Sequence, residues 1–281
     1  MPIFCTVIRH HNSYDLTTNC VKSLENIKLN SQIFIIEDGS TDGSEKKIKT
    51  LKSKVPIKII STKGVHLEYC RALNLGIKHA LKENFKYIFV VNTDTKKFST
   101  NYFEVALKDF EKDPSIGKWG SKVYDYDGKR RGGGEVMHKL GINLTTPTEG
   151  YILNSKALDQ IGLFDEKLYR YFEDLDLIIR LRSSGYSIFC NMTVSFDHLG
   201  GGLSGNYPYI RNYYRVRNVI WFIKHYKPGN IYNRLHYIGS YIKGSLIRLL
   251  NSIKNGEIKR SAVLFYSVVK GITIGTLTKW K

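Results

Sequence analysis

Three acids fall within four positions of this chain, Glu173, Asp174 and Asp176, set among Tyr171, Phe172, Leu175 and Leu177. Carboxylates in apolar surroundings are costly unless they move protons or hold cations. Two upstream apolar runs also end in acids, Ile33-Phe-Ile-Ile-Glu37-Asp38 and Tyr87-Ile-Phe-Val-Val-Asn92-Thr-Asp94. Downstream, Asp197-His198 precedes Gly200, Gly201 and Gly202, residues that let a ligand approach the backbone closely. A divalent cation held by hard oxygens and one imidazole would tie a diphosphate to the protein and neutralise the charge that builds when a bond to its oxygen breaks. Asp94 and His198 are the candidate ligands, although a lone His at a strand end is on general grounds more often a packing residue. Asp174, with Glu173 beside it, is the candidate general base, because desolvation by Tyr171, Phe172 and Leu175 would raise its pKa. Asp176 and Arg180 are four apart and can pair on a helix. A first-turn acidic cluster favoured by the helix dipole accounts well for Asp176 and poorly for Asp174.

These residues need a scaffold that gathers them. Runs rich in β-branched and aromatic residues at 3–8, 33–36, 57–60 and 87–91 alternate with segments of helical spacing at Leu16 to Leu29, Ser44 to Leu51 and Arg71 to Lys82. That alternation predicts an α/β fold with a mostly parallel, Rossmann-like sheet covered by helices on both faces. Ligands in such sheets bind at the carboxyl ends of the strands, where Arg9 to Asn12, Glu37 to Asp42 and Asn92 to Asp94 sit. Asp42 is also a plausible cap for a helix starting near Ser44. Asp127-Gly128 predicts a hairpin turn, and the basic run through Gly132 to Gly134 reads as a flexible loop that lacks P-loop spacing.

A hydrophobic fraction of 42% excludes a disordered polymer. The net charge is +18, and from Tyr207 onward fourteen Lys and Arg face the single acid Glu257, so thirteen of the excess positive charges lie there. The expected domains are a catalytic region at 1–206 and a basic helical region at 207–281. Cys5, Cys20, Cys70 and Cys190 show neither zinc-ligand nor disulfide spacing, which points to a reducing compartment. The start, Ile3-Phe-Cys-Thr-Val-Ile8, reads as a strand rather than a signal peptide, giving a cytoplasmic expectation.

In combination, these motifs resemble inverting glycosyltransferases of family 2, with the GT-A fold, and especially their rhamnosyltransferase-like branch. The resemblance covers roughly positions 3–225: Glu37-Asp-Gly-Ser-Thr-Asp-Gly43, Ala72-Leu-Asn-Leu-Gly-Ile77, Asn92-Thr-Asp94, and Ile161-Gly-Leu-Phe-Asp-Glu166 followed by Glu173-Asp-Leu-Asp-Leu177, Arg180 and His198. It implies a UDP- or dTDP-linked sugar donor, an inverting displacement and a glycan or lipid-linked acceptor. By that analogy Asp38 contacts the base, Asn92 lies near the ribose, and Asp94 with His198 holds Mn or Mg on the diphosphate. Asp174 activates the acceptor hydroxyl. Arg9 and His10 wrap the nucleotide, Arg71 reaches the donor, and Arg217-Asn218 matches the family's Arg-Asn element near the phosphates. Asn92 stands where the family commonly has the first acid of D-x-D, which removes one negative charge. Arg9-His10-His11 replaces the usual small residue or Pro and aromatic.

Two other classes remain open at this level. A nucleotidylyltransferase would want a glycine-rich basic loop after the first strand, and Arg9 to Asp15 contains no glycine. A non-enzymatic basic protein binding membrane or polyanion would use the tail, where Leu235, Ile238, Ile242, Leu246 and Leu250 alternate with Arg234, Lys243 and Arg248. Packing on the catalytic region, an anionic membrane surface or a second subunit would each cover such helices. Ala262 to Thr278 is apolar but interrupted by Lys270, against a spanning helix. No nucleic-acid module is recognisable.

Overall fold

The computed structural model describes residues 3–129, 147–199 and 208–277. The glycine runs at 132–134 and 200–202 lie outside the described residues.

The apolar runs fold as strands, and those at 4–8, 33–36 and 87–91 are buried on both faces. β1 (Phe4–His10), β2 (Asn30–Glu37), β3 (Ile57–Ser61) and β4 (Tyr87–Val91) are parallel, in the order β3-β2-β1-β4. α1 (Tyr14–Leu24), α2 (Ser44–Ile48) and α3 (Glu68–Lys82) connect them. Beyond β4 the sheet continues through β7 (Gly150–Asn154), β6 (Ile116–Asp125), β8 (Ser187–His198) and the two-residue β5 (Thr95–Lys96). β7 and β5 run against the other six strands. α4 (Tyr102–Lys112), α5 (Ser155–Ile161) and α6 (Glu173–Ser183) complete this part. The expected mostly parallel α/β sheet is therefore present, with a helical C-terminal extension made of α7 (Pro208–Tyr226), α8 (Ile231–Lys254) and α9 (Ile258–Leu277).

One face of the sheet packs on α1 and α4 through an aromatic core. Phe4 stacks on Phe103 at 4.6 Å, Phe98 stacks on Phe196 at 5.2 Å, and Tyr102 meets Trp119 edge-on at 5.1 Å. Such pairs add to the burial that dominates the stability of the layer. α1 stops at Leu24, short of the helical spacing that continues to Leu29 in the sequence. Leu29 instead takes φ 70°, a turn that delivers the chain to β2. α3 crosses the sheet where a Cβ on Gly76 would lie 2.5 Å from Cγ1 of Val7 and 3.0 Å from Cδ1 of Ile36. Glycine at that position is what lets the helix sit directly on β1 and β2.

The chain divides into two compact units. Among described residues the first contains 3–129, 147–166 and 174–199, and the second 167–173 and 208–277. Within the second unit α9 lies against α7 closely enough that a Cβ on Gly275 would be 2.9 Å from the carbonyl oxygen of Arg217. Glycines four apart, Gly271 and Gly275, thus allow backbone-to-backbone packing. No helix among the described residues is long and apolar enough to cross a membrane.

Gly76→Ala should lower unfolding stability by about 1–3 kcal/mol, the usual scale of overpacking. A urea midpoint that falls with an unchanged slope would show it, whereas an unchanged midpoint would contradict the close approach.

Candidate active site

The chain leaves β1 for β2 on one side and later returns to β4 on the other. Where strand order reverses, the connections part and leave a crevice at the carboxyl ends. Asp38, at the end of β2, and Asn92 to Asp94, at the end of β4, lie at this reversal.

Asp38 is fully buried and heavily engaged. Its Oδ2 accepts from Nε and Nη2 of Arg9, each at 2.7 Å, and its Oδ1 accepts from the backbone N–H of Leu67 at 2.6 Å. Nη2 of Arg9 also lies 2.7 Å from Nε2 of His66. The rings of His66 and His11 stack at 4.1 Å and 5°. The His66 pKa is pushed down, first by loss of water and then by the charge of His11; Arg9 adds to this, while Glu68 and Asp38 oppose it. Arg9 and Asp38 thus form one cluster, with a flat imidazole pair at its rim.

His10 points into the protein. It is fully buried, with Nδ1 2.8 Å from the hydroxyl of Thr17 and Nε2 3.1 Å from that of Ser44, and burial lowers its pKa. It braces α1 and α2 against the end of β1.

Asn92 donates its backbone N–H to Glu149 O at 2.9 Å, and its side-chain oxygen accepts from the hydroxyl of Tyr69 at 3.1 Å. Asp94 and His198 come together because β5 pairs with β8, placing Thr95 opposite His198. Oδ2 of Asp94 is 3.1 Å from Nε2 of His198, and both residues are mostly buried. Adjacent ligands of an octahedral ion with bonds of about 2.1 Å stand roughly 3 Å apart, so the pair fits two neighbouring positions of such an ion. No group of three or more metal-binding side chains occurs among the described residues, so the remaining positions would fall to substrate oxygens or water.

Asp174 is half-buried in the first turn of α6. Loss of water raises its pKa, the charge of Lys118 and backbone N–H groups of Leu175 and Asp174 oppose the rise, and the charge of Glu149 adds to it. Lys118, in β6, is fully buried, with Nζ 3.3 Å from Pro147 O and 4.3 Å from the ring centre of Tyr151. Glu149 also accepts the backbone N–H of Asn92 on its carbonyl. Neither Lys118 nor Glu149 stands out in the sequence. Its one signal is a lysine inside the strand Ile116-Gly-Lys-Trp-Gly120, where a central strand rarely tolerates an unneutralised charge.

The remaining candidates fall elsewhere. Asp176 and Arg180 pair across one turn at 2.7 Å, as their spacing predicts, and Arg180 also donates to Ile161 O and Leu163 O, each at 2.8 Å. Arg71 Nε lies 3.5 Å from Glu166. Asn74 clasps Phe164 through both backbone groups, at 2.9 and 3.1 Å, which explains why two separate sequence blocks occur together. In the second unit Glu173 is the first residue of α6, and Arg217 is buried against backbone carbonyls. The four cysteines are free.

A family model described as "Glycosyl transferase family 2" matches residues 5–165. Among solved structures, the mannosyltransferase PcManGT from Pyrobaculum calidifontis, in complex with GDP-Man and Mn2+, superposes with a TM-score of 0.65 at 11% identity, covering 99% of this chain and 88% of that one. TarS 1-349 of S. aureus in complex with UDP-GlcNAc gives 0.58 at 14% identity, covering 85% and 71%. A second S. aureus TarS structure gives 0.57 at 14% identity over 78% of this chain, which spans only 40% of that protein. At these identities the likeness establishes the fold, which is that of GT-A glycosyltransferases. No curated protein matches the chain in sequence.

Replacing Lys118 with Met removes the charge that favours ionised Asp174, so the titration midpoint of that carboxyl should move further up. Infrared difference titration, with Asp174→Asn used to identify the band, checks this, and a midpoint that stays or falls would remove Lys118 from the electrostatics of the site.

Proposed function

We propose that this chain, which belongs to glycosyl transferase family 2, transfers a sugar from a nucleotide-diphosphate donor to a hydroxyl of a glycan or lipid-linked acceptor, with inversion at the anomeric carbon. The observation that carries the reading is the meeting of Asp94 and His198 at the strand ends, with Oδ2 and Nε2 3.1 Å apart.

In this mechanism the carboxylate of Asp174 takes the proton from the acceptor hydroxyl, whose oxygen attacks the anomeric carbon. The bond from that carbon to the diphosphate oxygen breaks on the opposite face, and its electron pair leaves with the nucleotide diphosphate. Burial raises the basicity of Asp174, while Lys118 keeps it in the ionised form that a base requires. A Mn or Mg ion held by Asp94 and His198 would supply charge neutralisation to the departing diphosphate. The neighbour crystallised with Mn2+ and GDP-Man supports divalent-metal use.

The donor is held at the strand reversal. Arg9, with Asp38 fixing its guanidinium, presents positive charge and planar donors to the nucleotide, and the His11–His66 pair offers a stacking face for its base. Asn92 serves the ribose and Arg71 the donor. The engagement of His10 and Arg217 elsewhere supports treating them as scaffold. The resemblance of the motif blocks to the rhamnosyltransferase-like branch supports a rhamnose-like sugar, carried on UDP or dTDP in this reading.

The basic region suits the inner face of an anionic membrane. Along α8, Tyr232, Leu235, Leu246, Leu250 and Ile253 are exposed at helical spacing. Strong positive charge disfavours apposition of two such faces and favours anionic lipid, where apolar burial and electrostatics act together. A catalytic domain at 1–206 would then work beside a membrane-facing region at 207–281.

Asp174→Asn should lower turnover by roughly a hundredfold or more with donor affinity retained, while Asp94→Ala should weaken donor binding in Mn far more than without it. Calorimetry and donor hydrolysis with GDP-mannose, UDP-GlcNAc and dTDP-rhamnose read both, and full activity in Asp174→Asn would sink the base assignment. Leu246→Glu with Leu250→Glu should abolish sedimentation with vesicles of 30% phosphatidylserine, used here as a probe of roughly physiological anionic content. Unchanged partition would return the helices to a packing or subunit role.

A further inference from the structure

The segment Lys167–Glu173, immediately before Asp174, is built in a way its sequence does not favour. Tyr169, Tyr171 and Phe172 have φ of 62°, 65° and 74°, and none is glycine. Bulky residues avoid this left-handed region, and such conformations persist only where the surroundings over-determine them. Here the surroundings are two adjacent side chains of α7. The amide nitrogen of Asn218 lies 2.9 Å from Leu168 O, 2.9 Å from Arg170 O and 2.8 Å from Tyr171 O. Its amide oxygen accepts from Nε of Arg217 at 2.7 Å, which fixes the orientation of the amide. Nη2 of Arg217 donates to Lys167 O at 2.7 Å and Leu168 O at 3.0 Å. The guanidinium also lies among the rings of Tyr169, Tyr213 and Tyr214, at 5.4, 5.6 and 4.7 Å. Asn218 is fully buried and Arg217 almost so.

We propose that Arg217 and Asn218 are positioning residues for the transfer step: by gripping the carbonyls of 167–171 they hold a left-handed segment that fixes where α6 starts, and so where its second residue, Asp174, stands. The inference rests on Asp174 being the base. Four carbonyls that would otherwise be solvated or bonded within secondary structure are committed to two side chains, so the segment has no regular alternative while the grip holds. A carboxylate in place of the Asn218 amide would keep shape and volume, strengthen the tie to Arg217, and turn an acceptor toward three acceptors.

Asn218→Asp is therefore the first variant, and Arg217→Lys, which loses the planar fork but keeps the charge, is the milder second. Hydrogen exchange of 167–173 should accelerate in both. Donor hydrolysis, with whichever of GDP-mannose, UDP-GlcNAc or dTDP-rhamnose the wild type turns over, should fall roughly a hundredfold in Asn218→Asp, the scale of a base displaced by about 1 Å. Donor affinity by calorimetry should stay within about twofold, since the loss is confined to the chemical step. In Arg217→Lys, which adds no new charge, a loosened segment also admits water to Asp174, against unchanged Lys118 and Glu149, so the acidic limb of the rate profile should move to lower pH. Simple destabilisation would scale the profile and leave its midpoint in place.

Faster exchange with unchanged turnover and midpoint would overturn the proposal. So would a donor affinity that collapses in Arg217→Lys, which would make Arg217 a phosphate ligand. Retained turnover in Asp174→Asn would instead overturn the base on which the inference rests, and the exchange measurement would still report on the grip itself.

Discussion

Buried side chains bonded to main-chain carbonyls hold together the irregular stretch that leads to the acidic cluster. Between α5 and α6 there is no ladder to satisfy the backbone, yet buried polar groups without partners are destabilising. Arg180 serves the carbonyls of Ile161 and Leu163, Asn74 clasps Phe164, Arg217 takes Lys167 and Leu168, and Asn218 takes Leu168, Arg170 and Tyr171. Each donor sits on a helix and is itself buried or paired. Regular elements thus lend their rigidity to a link that has none of its own.

The same economy governs charge. Asp174 would become a poor base if burial simply neutralised it, and a poor one in another sense if water kept it fully acidic. Lys118 on β6 and Glu149 before β7 pull in opposite directions on that carboxyl. A lysine can occupy a central strand because Pro147 O and the face of Tyr151 receive its ammonium. At the other end of the crevice Asp38 is held by Arg9 and a backbone N–H, so its charge is spent on orienting the arginine. In both places acid and base act as sets.

The strands at 33–36 and 87–91 are legible in the sequence because burial on both faces writes unbroken apolar runs, while 57–60 shows through its three isoleucines although it is only partly buried. The strand-end acids are legible because such sheets bind ligands there. Family membership follows from the order of the motif blocks. What the sequence hides is the partnering of distant polar residues. Asn74 reads as one letter of a helix, and only the fold shows it clasping Phe164. Lys118 passes unremarked, and His10 reads as a nucleotide contact until both ring nitrogens are found against Thr17 and Ser44. The composition changes near Tyr207, yet 167–173 groups with the helical unit through side-chain-to-carbonyl bonds that leave no compositional mark.

The sheet's two borders differ from its interior in a way that bears on solubility. On one side β5 pairs only Thr95 and Lys96 with the last two residues of β8, so the rest of that border is β8 itself. On the other, β3 carries Lys58, whose ammonium is tied to Glu83 at 2.6 Å, and none of its five residues is fully sequestered. An intruding chain would have to strip water from that lysine and break its ion pair for a handful of backbone bonds. That border is thereby blunted against the addition of a further strand.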